Sequence, residues 1–191
     1  FSILVYYRKD IAELLNAMLK NTHNAREYIY FLIISTIPAV IVGLFFDDFV
    51  ESMFSISTVS ILFIITGLVL YSTKSFKIKT GVTITLYVAL LMGIAQMFAI
   101  MPGISRSGMT ISMALFLGIT HKDAAKFSFF MAIPILIGAG ILQTKDLQIL
   151  EIEKLNLLFV GFVSSFISGL IAIDILIKLL SKNHFWKFSL Y

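Results

Sequence analysis

The amino-acid sequence predicts an all-α integral membrane protein, built as a polytopic helical bundle with a re-entrant helical hairpin. First, 59% of the residues are hydrophobic and 14% are charged, whereas soluble domains carry about 25% charged residues. Second, the charged residues form short clusters between apolar runs that are long enough to cross a bilayer. Third, the run 81–120 contains a single charged residue, Arg106. We therefore expect one transmembrane domain over residues 1–191.

The composition also excludes several kinds of site. The sequence has no cysteine, which rules out disulfides, zinc–thiolate centres and cysteine nucleophiles. Its net charge of +4 does not indicate a nucleic-acid partner, because the basic residues lie in the connections between apolar runs, as they do in cytoplasmic loops of membrane proteins.

The apolar runs give the order of elements along the chain. Residues 1–7 resemble the end of an apolar segment, so we expect a chain truncated at both ends, and a short amphipathic helix is predicted over 11–19. A membrane-spanning helix needs about 20 residues. By that measure, four runs are predicted to span the membrane: 28–46, 52–73, 127–144 and 155–180.

The loop charges predict the orientation. Loops rich in Lys and Arg stay on the cytoplasmic side, and four basic loops alternate with one acidic turn and one loop of mixed charge. This places 8–26, 74–79, 122–126 and 178–187 in the cytoplasm, and it places the acidic turn 47–51 and the mixed loop 145–154 outside.

The run 81–120 must then begin and end on the cytoplasmic side, so it is predicted to be a helical hairpin with its tip at 102–108. Orientation alone does not decide whether the hairpin crosses the membrane or turns back half-way. Its arms are about 21 and about 12 residues long, and a helix of the second length extends only about 18 Å. The lengths favour a re-entrant pair with a tip near mid-membrane.

The tip carries the features of an anion site. Pro102-Gly103 is a turn signal, and Ser105 is a favourable N-cap for a helix over 107–117. The free N–H groups at the start of a helix attract anions, and a guanidinium is suited to phosphate oxygens. The hydroxyls of Ser105, Ser107 and Thr110 lie around the same point. The alternative is that Arg106 pairs with a carboxylate from another segment, such as Asp174.

Residues 102–110, PGISRSGMT, resemble the PGxSRSGxT signature of undecaprenyl-diphosphate phosphatases of the bacitracin-resistance type. Other segments are similar to that family in the same order along the chain: Tyr7-Arg8-Lys9, Ile37-Pro38-Ala39 with Gly43-Leu44, Gln96, and Phe127-Ser128-Phe129 with Pro134.

The resemblance implies a fold of inverted repeats, each with a re-entrant pair whose tips meet inside the membrane. It implies hydrolysis of undecaprenyl diphosphate to undecaprenyl phosphate and phosphate, which recycles the lipid carrier of cell-wall synthesis and confers bacitracin resistance. The expected location is the bacterial inner membrane. The expected partners are this lipid and the bilayer, and a homodimer is an assembly that the sequence allows.

The resemblance also implies which residues act. Arg106, Ser105, Ser107 and Thr110 are the expected catalytic residues, with Arg106 neutralising phosphate charge. The diphosphate-binding residues implied are Gly103, Ser105, Arg106, Ser107, Gly108 and Gln96.

Two family motifs, E-x-x-x-E and S-S-x-G-H, have no counterpart here and are expected upstream of Phe1. A final helix of the family is expected after Tyr191. A nucleophile, a general base and the ligands of a divalent cation (Mg or Ca) are expected in those motifs, with no metal ligand in this chain. We therefore expect the 191 residues alone to be inactive. The alternative function is a transporter or flippase of a polyprenyl phosphate or another anionic lipid.

Overall fold

The computed structural model describes residues 1–76, 82–143 and 152–190, and within these ranges the secondary structure is entirely helical. Nine α-helices are described there, together with two 3₁₀ segments at Thr73–Ser75 and Phe185–Leu190. The helices are α1 Ser2–Tyr6, α2 Arg8–Leu19, α3 His23–Phe45, α4 Asp47–Ser52, α5 Ile56–Ser72, α6 Leu86–Phe98, α7 Arg106–Phe116, α8 His121–Gln143 and α9 Ile152–Ser181.

Four helices of the described part are long and apolar enough to cross a membrane, which confirms the prediction of an all-α membrane protein. They cover His23–Phe45, Ile56–Ser75, His121–Ile141 and Asn156–Ser181. Part of the predicted basic loop 74–79 and most of the predicted mixed loop 145–154 lie outside the described residues.

Helix α8 begins well before the apolar run that predicted it. It starts at His121 rather than at residue 127. The reason is a cap: the amide of Asp123 donates to the Thr120 hydroxyl (3.2 Å), and that hydroxyl donates to the Asp123 carboxylate (2.7 Å). A capped, polar first turn is stable at a membrane surface, and hydropathy does not detect it.

The predicted acidic turn 47–51 is instead part of the short helix α4. Acidic residues in the first turn of a helix, here Asp47 and Asp48, interact favourably with its positive end. Helix α5 then starts at Ile56, later than the predicted residue 52, because Ser55 caps it by accepting a hydrogen bond from the amide of Thr58 at 3.2 Å.

The first arm of the hairpin is shorter than predicted. Helix α6 has 13 residues, Leu86–Phe98, and Thr85 caps it by accepting from the amide of Val88 at 3.3 Å. Residues 82–85 are not helical although they are apolar or β-branched. Helix α7 has 11 residues. At about 1.5 Å per residue, both arms fall well short of the roughly 30 Å of a bilayer core.

The hairpin packs tightly between its neighbours. A Cβ atom on Gly93 of α6 would lie 2.5 Å from the carbonyl oxygen of Ser35 on α3, so these two helices cross with their backbones almost in contact. The core of the molecule lies where α6, α7 and α8 meet, around the fully buried side chains of Met92, Ile111 and Phe127.

Candidate active site at the tip of the hairpin

The chain reverses at a tight turn between α6 and α7. The amide of Ile104 donates to the carbonyl of Met101 at 3.2 Å, which places Pro102 and Gly103 at the two central positions. Gly103 has φ +91°, as the second central residue of a type II turn requires. A Cβ atom there would lie 2.5 Å from the carbonyl oxygen of Val59. Both the turn and the close approach to α5 therefore require glycine.

Ser105 caps α7, as the sequence predicts. Its hydroxyl accepts a hydrogen bond from the amide of Gly108 at 3.2 Å, and the helix begins at Arg106. Within the described residues, the amides of Arg106 and Ser107 have no hydrogen-bond partner. Unpaired N–H groups at the positive end of a helix are donors suited to an anion.

Thr66 of α5 ties the turn to the bundle. Its buried hydroxyl donates to the carbonyl of Leu62 (3.1 Å) and accepts from the amide of Ser105 (3.4 Å). Thr66 was not predicted to belong to the site, because it lies 39 positions from Ser105 and no local pattern sets it apart from the other hydroxyls of α5.

Arg106 points away from the turn, toward α8. Its guanidinium donates to the backbone carbonyl of Ser128 at 3.2 Å. Among the described residues Arg106 forms no ion pair. Asp174, the carboxylate that the alternative prediction named, is bound to Lys178 at 2.5 Å. The positive charge of Arg106 is thus unneutralised within this part of the chain.

Thr110 and Ser128 form a buried polar contact beside Arg106. Their hydroxyl oxygens lie 2.6 Å apart, and the Thr110 hydroxyl also donates to the carbonyl of Arg106 at 2.9 Å. Both side chains are fully buried. Ser128 was not predicted to belong to the site, although it lies in the Phe127-Ser128-Phe129 segment that resembles the family.

Gln96 of α6 is buried in the core. It is 1% exposed, and neither its amide oxygen nor its amide nitrogen has a hydrogen-bond partner in the described structure. The hydroxyl of Ser112 on α7 is also buried without a described partner. Unpaired buried polar groups are costly, so Gln96 is a candidate to bind a polar group that the chain itself does not supply.

A cavity of about 870 Å³ opens beside the tip, between α5, α9 and the 3₁₀ segment Phe185–Leu190. The tip contributes a group that we call the cavity face: Gly103, Ser105, Ser107 and Gly108. Arg106 and Thr110, with Ser128 behind them, form what we call the sealed face, and they do not line the cavity. The other walls are mainly apolar.

A metal centre would require several acidic or histidine side chains close together. The described residues contain no group of three or more His, Asp or Glu side chains that could hold a metal ion. The residues present in this part of the chain therefore do not by themselves form a divalent-cation site.

The sequence matches the profile of the family described as "Bacitracin resistance protein BacA" over residues 1–191. It is similar to the undecaprenyl-diphosphatase of Methanococcus maripaludis strain C7, with 42% identity over 178 residues that cover 90% of this chain and 68% of that protein. It is also similar to the undecaprenyl-diphosphatase of Aliivibrio salmonicida, with 39% identity over 199 residues that cover 100% of this chain and 74% of that protein. The undecaprenyl-diphosphatase of Thermosipho africanus is 36% identical, with 100% and 75% of the two chains covered. The full-length match to the family and these identities establish that the chain belongs to the bacitracin resistance protein BacA family.

Proposed function

We propose that this chain hydrolyses undecaprenyl diphosphate to undecaprenyl phosphate and inorganic phosphate, recycling the lipid carrier of cell-wall synthesis and conferring bacitracin resistance. The family match and the shared name of the relatives support this function. The structural observation that carries it is Arg106, a charged side chain without an ion pair in the described residues, beside two unpaired N–H groups of a helix start.

An arginine in a membrane protein persists where it faces protein, water or an anion, since burying its charge in hydrocarbon costs several kcal/mol. Arg106 uses one described hydrogen bond, to the carbonyl of Ser128, and a guanidinium has five N–H donors. A diphosphate group at the start of α7 would supply the missing negative charge and accept the remaining donors.

Each predicted site residue then has a role in binding the diphosphate or in neutralising its charge. Arg106 and the free amides at the start of α7 neutralise charge on the phosphate oxygens as the bond between the two phosphates breaks and undecaprenyl phosphate leaves. Ser105 and Ser107 donate hydroxyl hydrogen bonds from the cavity face, where Gly103 and Gly108 keep the backbone accessible. Thr110 fixes the first turn of α7 from the sealed face.

Gln96 binds the diphosphate only if the packing around α6 opens, since its side chain is sealed in this conformation. The nucleophile and general base are expected in the S-S-x-G-H motif of the family. A divalent cation (Mg or Ca) stays a prediction, and no step of the proposal depends on it.

We also propose that the hairpin is re-entrant and that the basic loops face the cytoplasm of a bacterial inner membrane. Gly103 at the tip contacts α5 between Val59, in its first turn, and Thr66, past its middle. The far end of α7 packs beyond the end of α5, where the rings of Phe116 and Phe76 lie 4.5 Å apart. Helix α7 thus extends from about half-way along α5 to one end of it. This is the arrangement expected of a helix pair that enters and leaves the membrane on the same side.

The 191 residues contain no cysteine, so single cysteines map the orientation once any cysteine encoded elsewhere in the reading frame is replaced by serine. Exposed positions in a predicted cytoplasmic loop (Lys20→Cys) and in the predicted outer segment (Asp48→Cys) are introduced singly into the protein expressed from its complete reading frame. A membrane-impermeant maleimide added to intact cells is expected to label Asp48→Cys and not Lys20→Cys. The reverse pattern would contradict the proposed orientation.

Phosphate release from undecaprenyl diphosphate tests the function. The protein expressed from its complete reading frame is purified in detergent beside Arg106→Ala, with Arg26→Ala as the control, since Arg26 is an exposed arginine in the first turn of α3. Turnover in the unaltered protein and in Arg26→Ala, with a loss of about 1,000-fold in Arg106→Ala, is expected. Lipid binding that depends on Arg106 without any turnover would instead indicate a carrier.

A further inference from the structure

Most of the polar groups that line the cavity lie at the tip, and the others are the hydroxyls of Tyr71 and Ser189. Its hydroxyl and backbone groups at the cavity face come from the tip and from Thr66, whereas most of the remaining lining is apolar, including Phe129, Ile173 and Leu176. A ligand that fills this space must have a compact polar end and a hydrocarbon body.

The apolar part of the cavity continues to the outer surface of α5. Ile64 and Leu68 line the cavity and are also 63% and 65% exposed. In a bilayer such side chains contact lipid. A long hydrocarbon chain could therefore extend from the cavity directly into the membrane without leaving an apolar environment.

The wall opposite the tip is the 3₁₀ segment Phe185–Leu190, which packs on α5. The ring of Trp186 lies edge-on to Tyr71 at 6.2 Å, and the ammonium group of Lys74 lies over the Trp186 ring at 4.7 Å. These contacts hold the aromatic wall against the end of α5, and α5 also binds the tip through Thr66.

Gly67 keeps the space between this wall and the tip open. It lies on α5 one residue after Thr66 and lines the cavity. A Cβ atom on Gly67 would be 3.4 Å from the carbonyl oxygen of Ser189, an ordinary van der Waals contact. The backbone therefore accepts a side chain at this position, but the remaining atoms of a large one would occupy the cavity.

From this arrangement we infer that the cavity binds the first isoprene units of the substrate's polyprenyl tail, and that Gly67 determines whether the tail fits. The inference rests on the proposed hydrolysis of undecaprenyl diphosphate, since it assumes that the diphosphate lies at the cavity face. It adds a site for the hydrocarbon part of the same ligand.

Gly67→Leu tests the inference kinetically in the protein expressed from its complete reading frame. The matched control is Gly43→Leu, the same change at a helical glycine where an added Cβ would meet no atom within 4 Å. Since the loss of room for one methylene in a hydrophobic pocket costs about 10-fold or more, Gly67→Leu should raise KM for undecaprenyl diphosphate at least about 10-fold. Its kcat should change little, and Gly43→Leu should match the unaltered protein. A KM that stays unchanged in folded Gly67→Leu overturns the inference.

Photolabelling gives a second measurement that needs neither the variant nor turnover. The probe is farnesyl phosphate with a diazirine on its last isoprene unit, added to the unaltered protein. Label is expected within 63–71 or 185–190, and it should be displaced by undecaprenyl phosphate but not by phosphatidylglycerol. Label elsewhere, or equal displacement by phosphatidylglycerol, overturns the tail site. Specific labelling in a protein that releases no phosphate would instead refute the proposed hydrolysis and leave the tail site standing.

Discussion

The cavity face and the sealed face belong to the same first turns of α7, yet their environments differ completely. Ser105 is exposed and Ser107 is partly exposed beside the cavity. On the other side, Thr110 and Ser128 are fully buried and in contact at 2.6 Å, with Arg106 bound to α8. One face opens on the cavity, and the other packs on α8 with Arg106 still partly exposed.

The difference follows from helix geometry. Residues three or four apart share a face of a helix, so Arg106 and Thr110 point together toward α8, while Ser105 and Gly108 share the side that lines the cavity. A charge that must act on a ligand is thereby held in position from behind by protein groups, and the hydroxyls that can contact the ligand are left free. Substitutions on the two faces should consequently have different effects.

The largest effect is expected where both faces depend on the same backbone turn. Gly103→Ala forces a side chain onto a residue with φ +91° and places its Cβ 2.5 Å from the Val59 carbonyl oxygen. Backbone strain and overpacking together should lower the free energy of unfolding by about 3 kcal/mol, measured by thermal unfolding in detergent. Gly43→Ala, which meets no atom within 4 Å, is the control. Equal unfolding midpoints for the two variants would show that the turn is less constrained than its geometry indicates.

The next largest effect is expected from Arg106→Lys, which keeps the charge and removes the planar fork. A lysine cannot donate to the Ser128 carbonyl and bind phosphate oxygens in two parallel hydrogen bonds at once. We expect kcat/KM for undecaprenyl diphosphate to fall about 100-fold. The unfolding midpoint should stay close to that of the unaltered protein. Activity within a few-fold of the unaltered protein would mean that the positive charge alone suffices and that the hydrogen bond to the Ser128 carbonyl is not needed for catalysis.

The features predicted from the sequence were those carried by local patterns. The hydropathy of the apolar runs predicted four long helices, and the Pro102-Gly103 pair and Ser105 predicted the turn and the cap of α7. The limits of helices were predicted less well. Hydropathy does not register caps such as Thr120 with Asp123, and the uncharged, β-branched residues 82–85 continue the apolar run without being helical.

The parts of the site that were missed depend on contacts between distant segments. Thr66 and Ser128 lie 39 and 22 positions from the residues they contact at the tip. Nothing in the sequence around either residue shows that the fold brings it there. The division of the signature into two faces also depends on which side of α7 packs on α8, and a motif of consecutive residues carries no such information.

Ser128→Ala tests the sealed face without altering the carbonyl that Arg106 uses. The substitution removes the hydroxyl that contacts Thr110, whereas the bond from Thr110 to the Arg106 carbonyl remains, so the free energy of unfolding should fall by about 1 kcal/mol. We expect kcat to fall about 10-fold with KM nearly unchanged, because Ser128 does not line the cavity. Ser60→Ala, at an exposed serine of α5, should have no effect. A rise in KM without a fall in kcat would place Ser128 in contact with substrate.

The smallest effect is expected at Ser105, whose hydroxyl caps α7 and is also proposed to bind the diphosphate. Ser105→Ala removes the acceptor for the Gly108 amide, so the free energy of unfolding should fall by about 1 kcal/mol. Ser105→Asp restores a capping oxygen but places a negative charge at the cavity face. If Ser105 only caps α7, Asp should restore both stability and turnover. If the cavity face binds a diphosphate, Asp should restore the unfolding midpoint while KM rises further, because like charges repel at short range. If the unfolding midpoint and the turnover both recover in Ser105→Asp, the cavity face does not bind the diphosphate, and Arg106 alone binds the anion.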